Sequence, residues 1–307
     1  MRHFLIRLLL PATLAVVLAP TVQADDELID RIWSSAAATF VDEQHLREAI
    51  VAADIVLLGE IHDQPRHHEL QAKMLQWSAE GDRRAGLIFE MIGPQQQDAL
   101  DDWQFADDPD PSELGPALAW EERGWPDWSI YQPIAAAALA VDARLHAGAP
   151  DRDLFQEVVH NGLDALSDPQ RAELGLDRDL PEADRDRLVA RLEAAHCELG
   201  DHLPIDRMVA AQRLRDASLA HALLAAYAAG EQAVVIAGNE HVRRDYGIPH
   251  YIDAQHGDVT VVAIGLIPAA GLKRTPDGAP DHAHRDAYDF TWYTPGAMER
   301  SPCHEEA

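Results

Sequence analysis

Three short apolar runs constrain this chain more than any other feature, because each ends in polar side chains. "IVLLGEIH" runs into Glu60 and His62, "GLIFEM" into Glu90, and "AVVIAGNEHVRRDYG" into Asn239, Glu240 and His241. Runs of Val, Ile, Leu and Phe without polar alternation are what strands look like when helices cover both faces of a parallel sheet. Four such strands are expected, at Ile55 to Gly59, Gly86 to Met91, Ala233 to Ala237 and Thr260 to Ile267, with a short one near "DFTWYT" in the tail.

Helical patterns alternate with these runs. "PRHHELQAKMLQWSAEG" spaces Leu70, Met74, Leu75 and Trp77 on a helical period, with Pro65 suited to a first turn and Gly81 to a stop. "PIAAAALAVDARLHAG" and "DRMVAAQRLRDASLAHALLAAYAAG" are longer, Ala-rich and closed by Gly148 and Gly230. Residues 150–202 are charged and helical in period, so they read as a smaller helical subdomain inserted into the sheet protein. The fold class is therefore α/β: a mostly parallel sheet flanked by helices, with one helical insertion.

The first 24 residues read as a secretory signal peptide: Arg2, His3 and Arg7, an apolar run from Leu8 to Leu18, and a small-residue cut at Val22-Gln23-Ala24. The mature protein is then expected from about Asp25 to residue 307, exported to the periplasm, with no cysteine near the cut to carry a lipid. A net charge of −28 opposes nucleic-acid or anionic-lipid partners. Two cysteines, Cys197 and Cys303, are expected to pair in an oxidising compartment.

In an open parallel sheet, ligands bind beyond the carboxyl ends of the strands. Glu60, His62, Glu90 and His241 should thus converge on one edge. Each has a plainer reading: Glu60 as a helix cap, His67 and His68 as neighbours of which at least one is exposed. Together they could hold a divalent metal or act without one, a Glu orienting a His as general base. Arg243 and Arg244 could pair with ligand carboxylates. No GxSxG, HExxH, Walker or GxGxxG motif is present.

"LLGEIHDQPRHHELQ", "GLIFEM", "GWPDWSIYQPI" and "VVIAGNEHVRRDYGIPHYI", in this order over residues 50–300, resemble the ChaN-like haem-binding proteins. The resemblance implies an exported protein of iron acquisition that binds haem, forms a homodimer when loaded, and works with an outer-membrane haem uptake system. It implies tyrosine ligation of ferric iron, for which Tyr131 and Tyr246 lie in the matched motifs. Arg243, Arg244 and His62 are the other expected haem contacts, and Trp120, Trp125 and Trp128 a flat apolar wall. The wider superfamily of erythromycin esterase-like and TIKI/TraB-like proteins shares the Gly59-Glu60-Ile61-His62 element. That keeps a second reading open, a hydrolase using Glu60, His62, Glu90 and His241. One departure stands out. Where the pattern calls for an apolar strand near residue 149 the chain reads "GAPDRDLFQEVVHNG", so that strand is expected to be degraded or shifted to Leu154–Val159.

Overall fold

The computed structural model describes residues 27–195, 204–275, 279–281 and 285–297. The segment expected to be a signal peptide, and both Cys197 and Cys303 of the expected pair, lie outside the described residues.

An edge hairpin opens the described chain, β1 (Ile32–Ser34) and β2 (Thr39–Val41), followed by α1 (Glu43–Ala52). Next come β3 (Ile55–Glu60), α2 (Pro65–Ser78) and β4 (Ala85–Phe89). Helices α3 (Gln97–Gln104), α4 (Pro111–Ala117) and α5 (Gln132–Ala140) lead to β5 (Arg144–Ala147). A helical stretch then runs through α6 (Arg152–Asn161), α7 (Asp168–Glu173), α8 (Glu182–Ala195) and the long α9 (Ile205–Ala228). The chain finishes with β6 (Gln232–Gly238), α10 (Ile248–Gln255), β7 (Val261–Ala270), a two-residue pair β8 (Lys273–Arg274) and β9 (Pro280–Asp281), and β10 (Phe290–Ala297).

Eight strands form one sheet in the order β2-β1-β10-β7-β3-β6-β4-β5. The six strands from β10 to β5 are mutually parallel, and β1 joins β10 antiparallel. The unalternating apolar runs have the expected cause. On β3, Val56 and Leu58 enter a core layer with Leu70, Met74 and Ile134, whereas Ile55 and Leu57 enter a second layer with Leu214, Leu223 and Ile252. Helices thus cover both faces, and burying each such side chain contributes about 1.5–3 kcal/mol.

One expectation needs correction, and one element was not foreseen. The edge strand is neither missing nor shifted to Leu154–Val159. It lies earlier, at β5, inside a stretch that reads as the end of an Ala-rich helix. Asp142, at a left-handed φ of 54°, turns the chain out of α5 and into β5. The acids after Gly148 start a helix instead: the Asp151 carboxylate accepts the Asp153 and Leu154 N–H groups at 3.0 Å and caps α6. The N-terminal hairpin β1–β2 is too short to leave a periodic signal and was not expected.

Candidate functional site

Strands β3, β6 and β4 are neighbours, so their carboxyl ends place Glu60, Gly238–His241 and Glu90 side by side. Gly59 is required here for a reason other than ligand approach. A Cβ at that position would fall on Asn239 Oδ1 and within 3.0 Å of the Ile264 carbonyl. Asn239 uses the space to bridge β7, its amide donating to the Leu266 carbonyl at 2.8 Å and accepting the Leu266 N–H at 3.1 Å.

The polar groups resolve into two buried charge systems. In the first, Glu60 Oε1 accepts from His62 Nδ1 and from the Tyr131 hydroxyl, both at 2.7 Å. Its Oε2 lies 3.1 Å from His68 Nδ1 as a charge contact without hydrogen-bond alignment. Gln71 donates to the Leu58 carbonyl, so its Oε1 must face His68 Nδ1, 3.1 Å away, while His68 Nε2 faces the His62 carbonyl at 3.1 Å. Both His68 nitrogens therefore meet acceptors, which makes the ring an imidazolium. Burial alone would raise the Glu60 pKa; the hydrogen bond from His62 and the nearby His68 and His62 charges outweigh it and hold it at about 2.

His67 behaves oppositely to its neighbour. Its Nδ1 accepts the Ile61 N–H at 2.9 Å and its Nε2 meets the Thr294 hydroxyl at 2.9 Å, tying the loop after β3 to β10. That geometry suits a neutral ring, and burial pushes its pKa down to about 4. Both histidines are fully buried, against the expectation that one would be exposed.

In the second system, Glu90 Oε2 accepts the Gly238 N–H at 2.7 Å and its Oε1 meets His241 Nε2 at 3.0 Å. His241 Nδ1 meets Asp216 Oδ1 of α9 at 2.5 Å. Burial works against charge on His241, but the flanking carboxylates of Glu90 and Asp216 lift its pKa to about 10. For Glu90, burial is outweighed by the His241 charge and its pKa lies well below the ordinary range. For Asp216, burial prevails and pushes the pKa up to about 6.

The expected four residues thus meet, with Asp216 as a member that the sequence did not single out and His68 as one of the neighbouring pair for which a surface place was expected. Asp216 is one acid on an Ala-rich helix and gives no motif. Among the described residues no three His, Cys, Asp or Glu side chains form a metal-binding group; most donor atoms of these residues face one another, His62 Nε2 being an exception. The divalent-metal expectation therefore finds no support in the donor set.

The two tyrosines do not offer an iron ligand. Tyr131 is fully buried and donates to Glu60, and Tyr246 is fully buried and donates to Glu240. Burial, reinforced by those carboxylates, raises both phenol pKa values far above ordinary, the reverse of what an anionic oxygen donor needs. Arg243 and Arg244 are likewise committed within the chain. Arg243 forms a two-pronged pair with Asp245 at 2.8 and 3.0 Å, and Arg244 lies 3.3 Å from Asp289.

Beside this edge lies a cavity of about 720 Å³, within the 300–1,000 Å³ usual for ligand sites. Met91, Trp125, Phe155 and Leu219 supply apolar wall, and Arg123, Arg152 and Arg215 supply charge. Of the three tryptophans only Trp125 faces it; Trp120 and Trp128 are buried against Tyr131. His62 stands edge-on to Trp125 at 5.2 Å, with 35% of its side chain exposed. Burial opposes its protonation, but Glu60 and Glu90 raise its pKa above the ordinary value.

A three-layer α/β protein with its polar site at the carboxyl edge of a parallel sheet is a ligand-binding or catalytic design. A family profile described as "Haem-binding uptake, Tiki superfamily, ChaN" matches residues 46–252, and the chain belongs to that family. Among solved structures it is similar to ChaN of Campylobacter jejuni, described as "Cofacial heme binding to ChaN", at TM-score 0.63 and 16% identity, covering 87% of this chain and 97% of that one. A mutant of the erythromycin esterase EreC in its open conformation matches at TM-score 0.42 and 13% identity over 90% of this chain and 100% of that one. The type III effector HopBA1 matches at TM-score 0.41 and 10% identity over 88% and 99%. No curated protein sequence matches the chain.

Proposed function

We propose that the protein binds haem in the cavity beside Trp125. The observation that carries this reading is the cavity itself: about 720 Å³ with Met91, Trp125, Phe155 and Leu219 on its wall and three arginines in its lining. The walls fit a porphyrin and the guanidinium groups fit its carboxylates. For the iron, His62 is the fitting donor, since Nδ1 is held by Glu60 and Nε2 is left at the partly exposed edge. A carboxylate behind an imidazole is the usual arrangement for a metal-ligating histidine. Bound haem would supply an iron centre, and His62 would be the residue that holds it.

The role that follows is haem handling for iron uptake in the periplasm. A homodimer would form on loading, and an outer-membrane uptake system would be the exchange partner. An absorbance titration of the chain from Asp25 onward with ferric haem, beside gel filtration, tests this. A saturable Soret change with a shift to dimer supports it, and His62→Ala should alter the Soret band. Absence of any saturable change would refute it.

One observation favours a second reading. A buried Glu60 holding His62 with Nε2 free is also the geometry of a general base for ester hydrolysis. Glu60→Gln should then abolish turnover of small esters. A variant with every activity intact would remove the idea.

A further inference from the structure

The cavity's cations are spare, and that bears on what the site grips. Arginines in this acidic chain are commonly paired: Arg47 with Glu80, Arg83 with Asp54, Arg191 with Glu240, Arg243 with Asp245. Among the described residues Arg123, Arg152 and Arg215 form no ion pair with a carboxylate, although all three line one cavity. Arg123 is half-buried and its guanidinium donates only to the carbonyls of Met91 and Leu118. Burial without a countercharge lowers its pKa. Arg215 stacks over Phe155 at 4.7 Å, which fixes the plane of its guanidinium on the apolar wall. The acids on the same lining do not answer these charges. Glu90 is spent on His241 and the Gly238 N–H, and Glu122 is exposed. Among the described residues the lining contains neither tyrosine nor histidine.

Resting on the haem reading, we infer that the site holds its ligand chiefly by the carboxylates and the flat apolar face, through Arg123, Arg152, Arg215, Trp125 and Phe155, and therefore also takes metal-free dicarboxylate porphyrins. A half-buried guanidinium that meets only neutral carbonyls gains a charge-assisted, two-pronged bond when a carboxylate arrives. The aromatic and aliphatic wall gains from any ring of that shape, iron or none. Removing both carboxylate charges should then cost more than removing the iron.

The experiment compares three probes on the chain from Asp25 onward: ferric haem, protoporphyrin IX and haem dimethyl ester, followed by tryptophan quenching. Protoporphyrin IX is expected within about tenfold of haem, and the dimethyl ester weaker by ~100-fold, since bonds to charged groups contribute about 1.5–3 kcal/mol each. Arg123→Gln and Arg215→Gln should each weaken haem and protoporphyrin IX alike, by roughly tenfold. Because Arg123 also braces Met91, the exposed Arg152→Gln serves as a second variant whose folding is not at risk, with a smaller loss in the same direction. If haem binds but protoporphyrin IX does not, or if the dimethyl ester binds as well as haem, the inference is overturned and the haem reading survives. If none of the probes binds, the haem reading falls and takes the inference with it.

Discussion

The two halves of this sheet edge treat charge in opposite ways. Between β3, β4, β6 and α9, the carboxylates of Glu60, Glu90 and Asp216 are set against the imidazoles of His62, His68 and His241, with the Tyr131 hydroxyl and the Gly238 N–H donating to Glu60 and Glu90. In the lining of the neighbouring cavity, Arg123, Arg152 and Arg215 form no ion pair with a carboxylate among the described residues. A closed network settles its own charge and fixes geometry. An open cluster of like charge without paired carboxylates is where the proposed anionic ligand would be held. The comparison separates scaffold from binding surface, with His62, half-enclosed, as the residue that belongs to both.

If the network is scaffold, breaking it should unfold the protein before it touches specificity. Glu90→Ala strands the His241 imidazolium beside Asp216 and orphans the Gly238 N–H. Losing one partner of a buried pair costs about 3–5 kcal/mol, to be read from denaturant unfolding. A loss below about 1 kcal/mol would mean that the network is not structural.

The same system fixes an alkaline limit. The folded His241 pKa of about 10 lies above the ordinary 6.5, so its stabilisation is complete below pH 6.5 and is lost as pH rises towards 10. Thermal unfolding of the ligand-free protein should shift downward across that window. His241→Gln should flatten the dependence there.

Tyr131→Phe sharpens the comparison further. It removes a buried donor from Glu60 at a cost of about 1–3 kcal/mol, measured as a fall in unfolding free energy. The haem spectrum should stay unchanged, because the phenol is a brace. A changed Soret band would return Tyr131 to the list of iron donors.

The smallest effect lies on the open side. Arg215→Gln should alter stability by less than about 1 kcal/mol, since it loses the stack on Phe155 and a through-space charge contribution to Asp216 but no ion pair among the described residues. Its measurable consequence is in ligand affinity.

Much of this was legible in the sequence, and the pattern of what was not has physical reasons. Strands β3, β4, β6 and β7 were readable because burial on both faces leaves unbroken apolar runs. Strand β5 was not, because "RLHA" carries an Arg and a His on a sheet margin and follows an Ala-rich helix without a proline break. Glu60, Glu90 and His241 stood out as polar groups at strand ends. Asp216 and His68 did not, since partnership in three dimensions leaves no spacing rule. The arginines differ for a related reason. Arg243 and Arg244 sit beside a motif, yet Asp245 and Asp289 are close enough to claim them. Arg123, Arg152 and Arg215 come from three separate segments and meet only in the fold.

The most direct test of the account is a ferric haem titration of the chain from Asp25 onward, run in parallel on Trp125→Asp and Tyr131→Phe. The account predicts a saturable Soret band at equimolar haem that Tyr131→Phe keeps and Trp125→Asp loses. A band that survives Trp125→Asp but vanishes in a folded Tyr131→Phe protein would place the haem at the buried network and contradict the account.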